Sequence, residues 1–130
     1  MIVNIVNEMF TKLDTDLTSV TVVTDYDEEV ESFPRVVFYE LTNNVNPDTR
    51  DSAGERHNQQ SFQVEIYTVG KRKRTDAMKI RGEVDEILSG FYNCDRDFSE
   101  QLPNFMDRNI YRYVMRYSCI VDANKVIYRR

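Results

Sequence analysis

Tyr111-Arg-Tyr-Val-Met-Arg-Tyr-Ser-Cys-Ile-Val121 is the stretch on which the fold turns. Its side chains alternate in character. A strand over these residues puts Tyr111, Tyr113, Met115, Tyr117, Cys119 and Val121 on one face. Arg112, Arg116 and Ser118 fall on the other, with Val114 and Ile120 among them. An apolar face of this kind needs a covering layer, and the two amphipathic patterns upstream supply it.

Working outward, Ser61–Val69 is a second alternating strand. Phe62, Val64 and Ile66 share one face, and Gln63, Glu65 and Tyr67 share the other. Gly70 ends it. Between these two strands lies a helix predicted over Asp76–Ser89, with Thr75 or Asp76 as N-cap and Gly90 as the stop. Ala77, Ile80, Val84, Ile87 and Leu88 form its apolar stripe. Phe91 to Asn109 reads as irregular, punctuated by Pro103. Val126-Ile-Tyr128 reads as a short tail strand.

Toward the N-terminus, Phe33-Pro34 opens a strand over Arg35–Thr42, where proline's missing donor is tolerated. Val36, Phe38 and Glu40 lie on one face; Val37, Tyr39 and Leu41 lie on the other. Apolar on nearly both sides, this strand is expected to sit centrally. Ile2, Ile5, Val6, Met9, Phe10, Leu13 and Leu17 recur at helical spacing, predicting a helix from about Ile2 to Leu17. Val20, Val22 and Val23 suggest a short β-branched strand after it. The sum is an α+β domain: a mixed, mostly antiparallel sheet of four to five strands with two helices packed on one face.

A chain of 130 residues fits one domain, 1–130, and can bury a core without metals or disulfides. Its two cysteines, Cys94 and Cys119, form neither a disulfide framework nor a zinc spacing, so synthesis in a reducing cytoplasm is the expectation. Met1–Phe10, broken by Asn4, Asn7 and Glu8, lacks the makeup of a secretory leader, and no run is long enough to span a membrane. Net charge is −5. That argues against sequence-independent duplex binding, which needs clustered cations to displace counterions. It suits a surface past which DNA slides without sticking.

Few residues carry chemistry. The acidic stretch Asp25-Tyr-Asp-Glu-Glu29 reads as a solvated connector, since a hard-cation site needs further ligands. Asn43–Gln60 reads as a long flexible loop, and such loops inside small domains are usually functional or disordered. His57, at its end, has no dyad partner nearby in sequence and reads as a residue leading into the strand. No Gly-rich phosphate loop, Gly-x-Ser-x-Gly elbow or paired histidine is present. A strand carboxylate followed by Glu-x-Lys would point to a nuclease. Asp48 and Glu65 suit its first parts, but Ile66 and Tyr67 follow Glu65 and the lysine is missing. Neither a catalytic residue nor a cofactor is expected. Lys71, Arg72, Lys73 and Arg74 stand just before the second helix, against its dipole. Either they splay into water or they meet phosphate or an acidic partner.

In their order, these elements resemble the tail terminator (tail completion, or head–tail joining) proteins of long-tailed bacteriophages. The resemblance rests on the N-terminal helix, the Phe33-Pro34 strand ending at Glu40, the Asn-rich loop and Gln63-Val-Glu-Ile-Tyr67. Val84-Asp-Glu-Ile-Leu88, Gly90-Phe91 and the closing Tyr-Arg-Tyr strand complete it. It covers almost the whole chain, though each motif alone is common α+β grammar. It implies a non-enzymatic virion protein at the head–tail junction: a ring, typically a hexamer, that stops tail-tube polymerisation. It implies as partners other copies of the chain, the tail tube protein and the head connector or head-completion protein. Genomic DNA would pass through the lumen without sequence-specific binding, and no membrane is involved. Under that reading Arg50, Asp51, Glu55 and Arg56 reach a neighbour or the tube. Lys71 to Arg74 pair with an acidic partner. Gln63, Glu65, Arg112 and Arg116, on the sheet face away from the helices, suit subunit pairing. The alternatives are another neck component (a head-completion or adaptor protein), a nucleic-acid-binding module acting through Lys71–Arg74, and an unrecognised hydrolase.

Overall fold

The computed structural model describes residues 5–24, 32–45, 58–103, 107, 109–122 and 127–128. Helix α1 spans Val6–Asp16 and is followed by β1 (Thr21–Val23), β2 (Arg35–Val45) and β3 (Asn58–Thr68). Helix α2 spans Lys73–Asp85 and continues as a π-helical turn over Glu86–Phe91; β4 (Asp95–Leu102), β5 (Tyr111–Val121) and β6 (Ile127–Tyr128) complete the chain. The sheet order is β1-β2-β3-β5-β4, with β6 pairing β5 beyond the end of β4. Only β1 and β2 run parallel; every other pair is antiparallel. This is the expected α+β architecture with a mixed, mostly antiparallel sheet.

One core joins both helices to one sheet face. Met9 and Leu13 of α1, Ala77, Ile80 and Val84 of α2, and Ile87 and Leu88 of the π turn pack with Val36, Phe38, Phe62, Val64 and Ile66. Tyr113, Met115, Tyr117, Cys119 and Val121 of β5 belong to the same cluster. The register explains this: Phe62 faces Tyr117, Val64 faces Met115 and Ile66 faces Tyr113 across β3 and β5. Phe38 and Phe62 stack with ring centroids 5.6 Å apart. Full burial of an aromatic such as Phe62 stabilises by about 2–3 kcal/mol.

Several sequence expectations need correction. The strand at Phe91–Asn109 was hidden. Asp95-Arg-Asp-Phe-Ser-Glu-Gln-Leu102 lacks apolar alternation because it is an edge strand, paired to β5 through a bulge between Arg96 and Phe98. Charged edges of this sort discourage pairing with other sheets. β2 is interior but not central; β3 holds the centre. The loop expected at 43–60 is shorter, since Asn43 pairs Gln60 and Asn44 pairs Gln59. Amides at ladder positions read as loop in sequence, yet Gln60 is fully buried.

The helices also differ from expectation at their ends. Among the described residues α1 is shorter than predicted and stops at Asp16, with Leu17 as its C-cap. Helix α2 begins at Lys73 rather than Asp76, and neither Thr75 nor Asp76 caps it. Gly70, at φ 96°, turns the chain at once, so Lys73 N–H donates to Gly70 O at 3.3 Å and Asp76 N–H to Arg72 O at 2.8 Å. Gly90 does not stop the helix. The π turn carries through it, closed by Tyr92 N–H to Ile87 O at 3.0 Å and Cys94 N–H to Leu88 O at 2.9 Å. Asn93, at φ 60°, makes the reversal instead, and asparagine is among the few residues that tolerate that region.

Candidate interaction surfaces

The sheet face away from the helices carries a polar network built by strand register. Three rows cross it: Arg35–Tyr67–Arg112, Val37–Glu65–Val114 and Tyr39–Gln63–Arg116. Glu65 lies between two fully buried valines, so its carboxylate finds partners only in the rows on either side. Arg112 Nε donates to Glu65 Oε1 at 2.8 Å, Tyr67 OH to the same oxygen at 3.0 Å, and Tyr39 OH to Oε2 at 2.9 Å. Gln63 Nε2 donates to Tyr39 OH at 2.6 Å, and Arg116 Nε to Gln63 Oε1 at 2.9 Å. The chain of bonds therefore runs Arg112–Glu65–Tyr39–Gln63–Arg116 across three strands.

Electrostatics follow from that geometry. Burial alone would push the Glu65 carboxyl up, but hydrogen bonds from Arg112, Tyr39 and Tyr67 and the Arg112 charge hold it below the usual carboxylate range. The tyrosines move the other way. Burial, reinforced by the Glu65 carboxylate, pushes Tyr39 up to about 12 and raises Tyr67 as well. At neutral pH the network holds one carboxylate, one ion-paired guanidinium and two neutral phenols. It is built for rigidity, and its groups are oriented toward one another.

Gln63, Glu65, Arg112 and Arg116 thus meet on one face, as the alternation predicts. Their accessibility differs from the expectation, however. Gln63 and Glu65 are buried, Arg112 is half-buried, and only Arg116 is exposed, its guanidinium 5.3 Å from the Phe98 ring centroid. Any partner meets Arg116, Phe98 and the outer edges of the tyrosines before it meets Glu65. The sequence reading missed Tyr39 and Tyr67 as partners of Glu65, although the same two-residue period places all three on one face. Arg50, Asp51, Glu55 and Arg56 lie outside the described residues, as do His57 and Asp25–Glu29.

The second surface is the basic turn. Lys71, Arg72 and Arg74 are exposed; Lys73 is half-buried and donates to Asn109 O at 3.2 Å. Lys73 and Arg74 therefore belong to the first turn of α2, with Thr68 Oγ1 donating to Lys73 O at 2.6 Å. One and two turns on, Met78 and Arg81 follow Arg74 on the same helix face. These side chains wall a groove of about 340 Å³ with Tyr111 and Tyr113 of β5 and Glu100 of β4.

Arg81 is fixed there. Its Nη1 donates to Tyr113 OH at 3.1 Å and its guanidinium lies 5.4 Å from the ring centroid. Ser99 Oγ and Tyr113 OH share a 2.6 Å bond. Burial raises the Tyr113 phenol, but Ser99, Arg81 and the Arg96 charge outweigh it and hold it below the ordinary tyrosine range. Arg81 carries no sequence signal of its own, because on a helix face it reads as solvated.

Among the described residues, no group of three His, Cys, Asp or Glu could hold a metal ion, and no helix is long and apolar enough to cross a membrane. Cys94 and Cys119 are buried free thiols. A second groove, of about 300 Å³, runs between the end of α1, Pro34 and α2, with Asp16, Asp76, Lys79 and Glu83 along it. No protein-family model matches this chain, and no curated protein matches it either.

Proposed function

We propose that this chain is a structural bacteriophage protein of the tail terminator kind. It forms a ring at the head-proximal end of the tail tube, ends tube polymerisation and joins tail to head. The observation that carries this reading is the order of elements in the sequence, from the N-terminal helix to the closing Tyr-Arg-Tyr strand. The fold supports it by leaving one sheet face without helices and bracing that face with the Arg112–Glu65–Tyr39–Gln63–Arg116 chain. A rigid face suits repeated packing, because a surface already held in shape loses little entropy on association.

On this reading the mechanism is geometric. Each copy presents one surface to its neighbour and another to the last ring of the tube, and closed cyclic symmetry sets the stoichiometry. The head connector docks on the opposite side. The net charge of −5 suits a lumen that passes DNA without holding it. The test is a polymerisation assay. Added to growing tubes, the protein stops elongation at a fixed ratio to tube ends. Tubes that lengthen unchanged in its presence contradict the reading.

A further inference from the structure

We infer that the groove between α2, β4 and β5 is a receptor for the acidic segment 25–31 of a second copy of this chain. The segment Asp25-Tyr-Asp-Glu-Glu-Val-Glu31 carries five carboxylates in seven residues, with Tyr26 and Val30 between them. The groove presents the complementary makeup. Arg74 and Arg81 line one wall, Lys71 and Arg72 stand exposed beside it, and Met78, Tyr111 and Tyr113 supply apolar surface. Arg81 is already held by Tyr113, so its free guanidinium edge is oriented before a carboxylate arrives. The first turn of α2 has no side-chain cap, and its dipole also favours an incoming anion. Glu100 in the groove excludes a carboxylate from its own position and so helps fix the register.

The source is another copy because the same chain cannot reach. Segment 25–31 is tethered at Thr24, directly after β1, and at Ser32, just before β2. Turning back midway, it extends about 14 Å from its anchors. The groove lies three to four strand spacings away along β1-β2-β3-β5-β4, about 14–19 Å at ~4.8 Å each. Helix α1 packs on β1 and β2 in between. Segment and groove therefore sit on opposite flanks of the sheet, so the contact is head-to-tail, the kind that closes into rings when the rotation per copy allows. A polynucleotide fits less well, given the net charge of −5 and the carboxylates of Asp76 and Glu100 at the cationic site. This inference extends the ring reading above by naming the contact between copies.

The experiment is a charge swap read by mass in solution. Arg72→Glu with Arg74→Glu alters exposed side chains only, and Asp27→Lys with Glu28→Lys and Glu29→Lys reverses the segment. Each variant alone is expected to self-associate at least tenfold more weakly than the parent, and mixing the two restores assembly. For the parent, raising ionic strength from about 0.1 M to about 1 M, which shortens the screening length from ~10 to ~3 Å, weakens association to a similar degree. Self-association unchanged in both variants, or no rescue on mixing, overturns the inference, as does a parent that stays monomeric at every concentration. An oligothymidylate that binds the parent and is lost with Arg72→Glu/Arg74→Glu, self-association being unaffected, assigns the groove to nucleic acid and also overturns it. Rings that cap tail tubes yet ignore the charge swap leave the proposed function standing. Charge-swapped assemblies that never touch a tube leave this contact standing and remove the function.

Discussion

Arg112 reaches diagonally across the β3–β5 ladder to Glu65, donating from Nε to Oε1 at 2.8 Å, while its direct register partner is Tyr67. The diagonal is what lets Glu65 sit between Val37 and Val114 and still be paired. A carboxylate in such a position without its cation would be strongly unfavourable.

Glu65→Gln is expected to destabilise the fold by about 2 kcal/mol, since a charge-assisted bond becomes a neutral one and Arg112 loses its counter-charge. The pH dependence gives the sharper check. Because the folded state holds Glu65 below the usual carboxylate range, its contribution is complete above the unfolded value. It is lost as pH falls through the lowered folded value. Denaturant melts of Glu65→Gln between neutral and acid pH should show a shallower loss of stability than the parent; parallel curves would contradict the assignment.

Tyr117 is fully buried and its hydroxyl donates to Asp85 Oδ1 at 2.7 Å. Tyr117→Phe removes that bond but leaves Asp85 its contact with Arg96 at 3.5 Å, so the expected cost is about 1 kcal/mol. Tyr117→Ala empties a core site and is expected to cost about 3–5 kcal/mol. Chemical denaturation of the pair separates the hydroxyl from the ring.

Asn93 holds φ 60° where the π turn ends. Asn93→Ala is expected to lose about 1 kcal/mol from the left-handed backbone alone, while Asn93→Gly holds stability or gains slightly. Gly90, by contrast, has no positive φ and open space beside it. Gly90→Ala is therefore expected to stabilise by about 0.5–1 kcal/mol. Thermal melts of the three variants check which residue stops the helix.

Phe91 is 62% exposed, with Lys12 Nζ 4.6 Å from its ring centroid and Tyr92 edge-on to it. Phe91→Ser should change stability by no more than about 1 kcal/mol, the range of an exposed cation–π contact. A larger loss by calorimetry would show that the ring is packed in solution.

The features legible in sequence were those with a strong period. β5 and β3 alternate cleanly, and both core stripes of the helices were visible as Met9–Leu13 and Ala77–Ile80–Val84. β4 was not legible because an edge strand needs no apolar alternation; its partner's ladder supplies the order. The amides at Asn43, Asn44, Gln59 and Gln60 read as loop by composition, and only tertiary pairing makes them strand. At the polar face, alternation brought Gln63, Glu65, Arg112 and Arg116 together, but period alone does not show that Tyr39 and Tyr67 close over Glu65. The groove at Arg81 and Tyr113 joins residues 32 positions apart, and no local pattern encodes that.

Negative-stain imaging of the purified protein, with mass measured in solution, before and after adding tail tubes addresses the ring directly. Closed rings of one size, free or seated on tube ends, are the predicted result. A monomer that neither closes into rings nor attaches to tubes would contradict it.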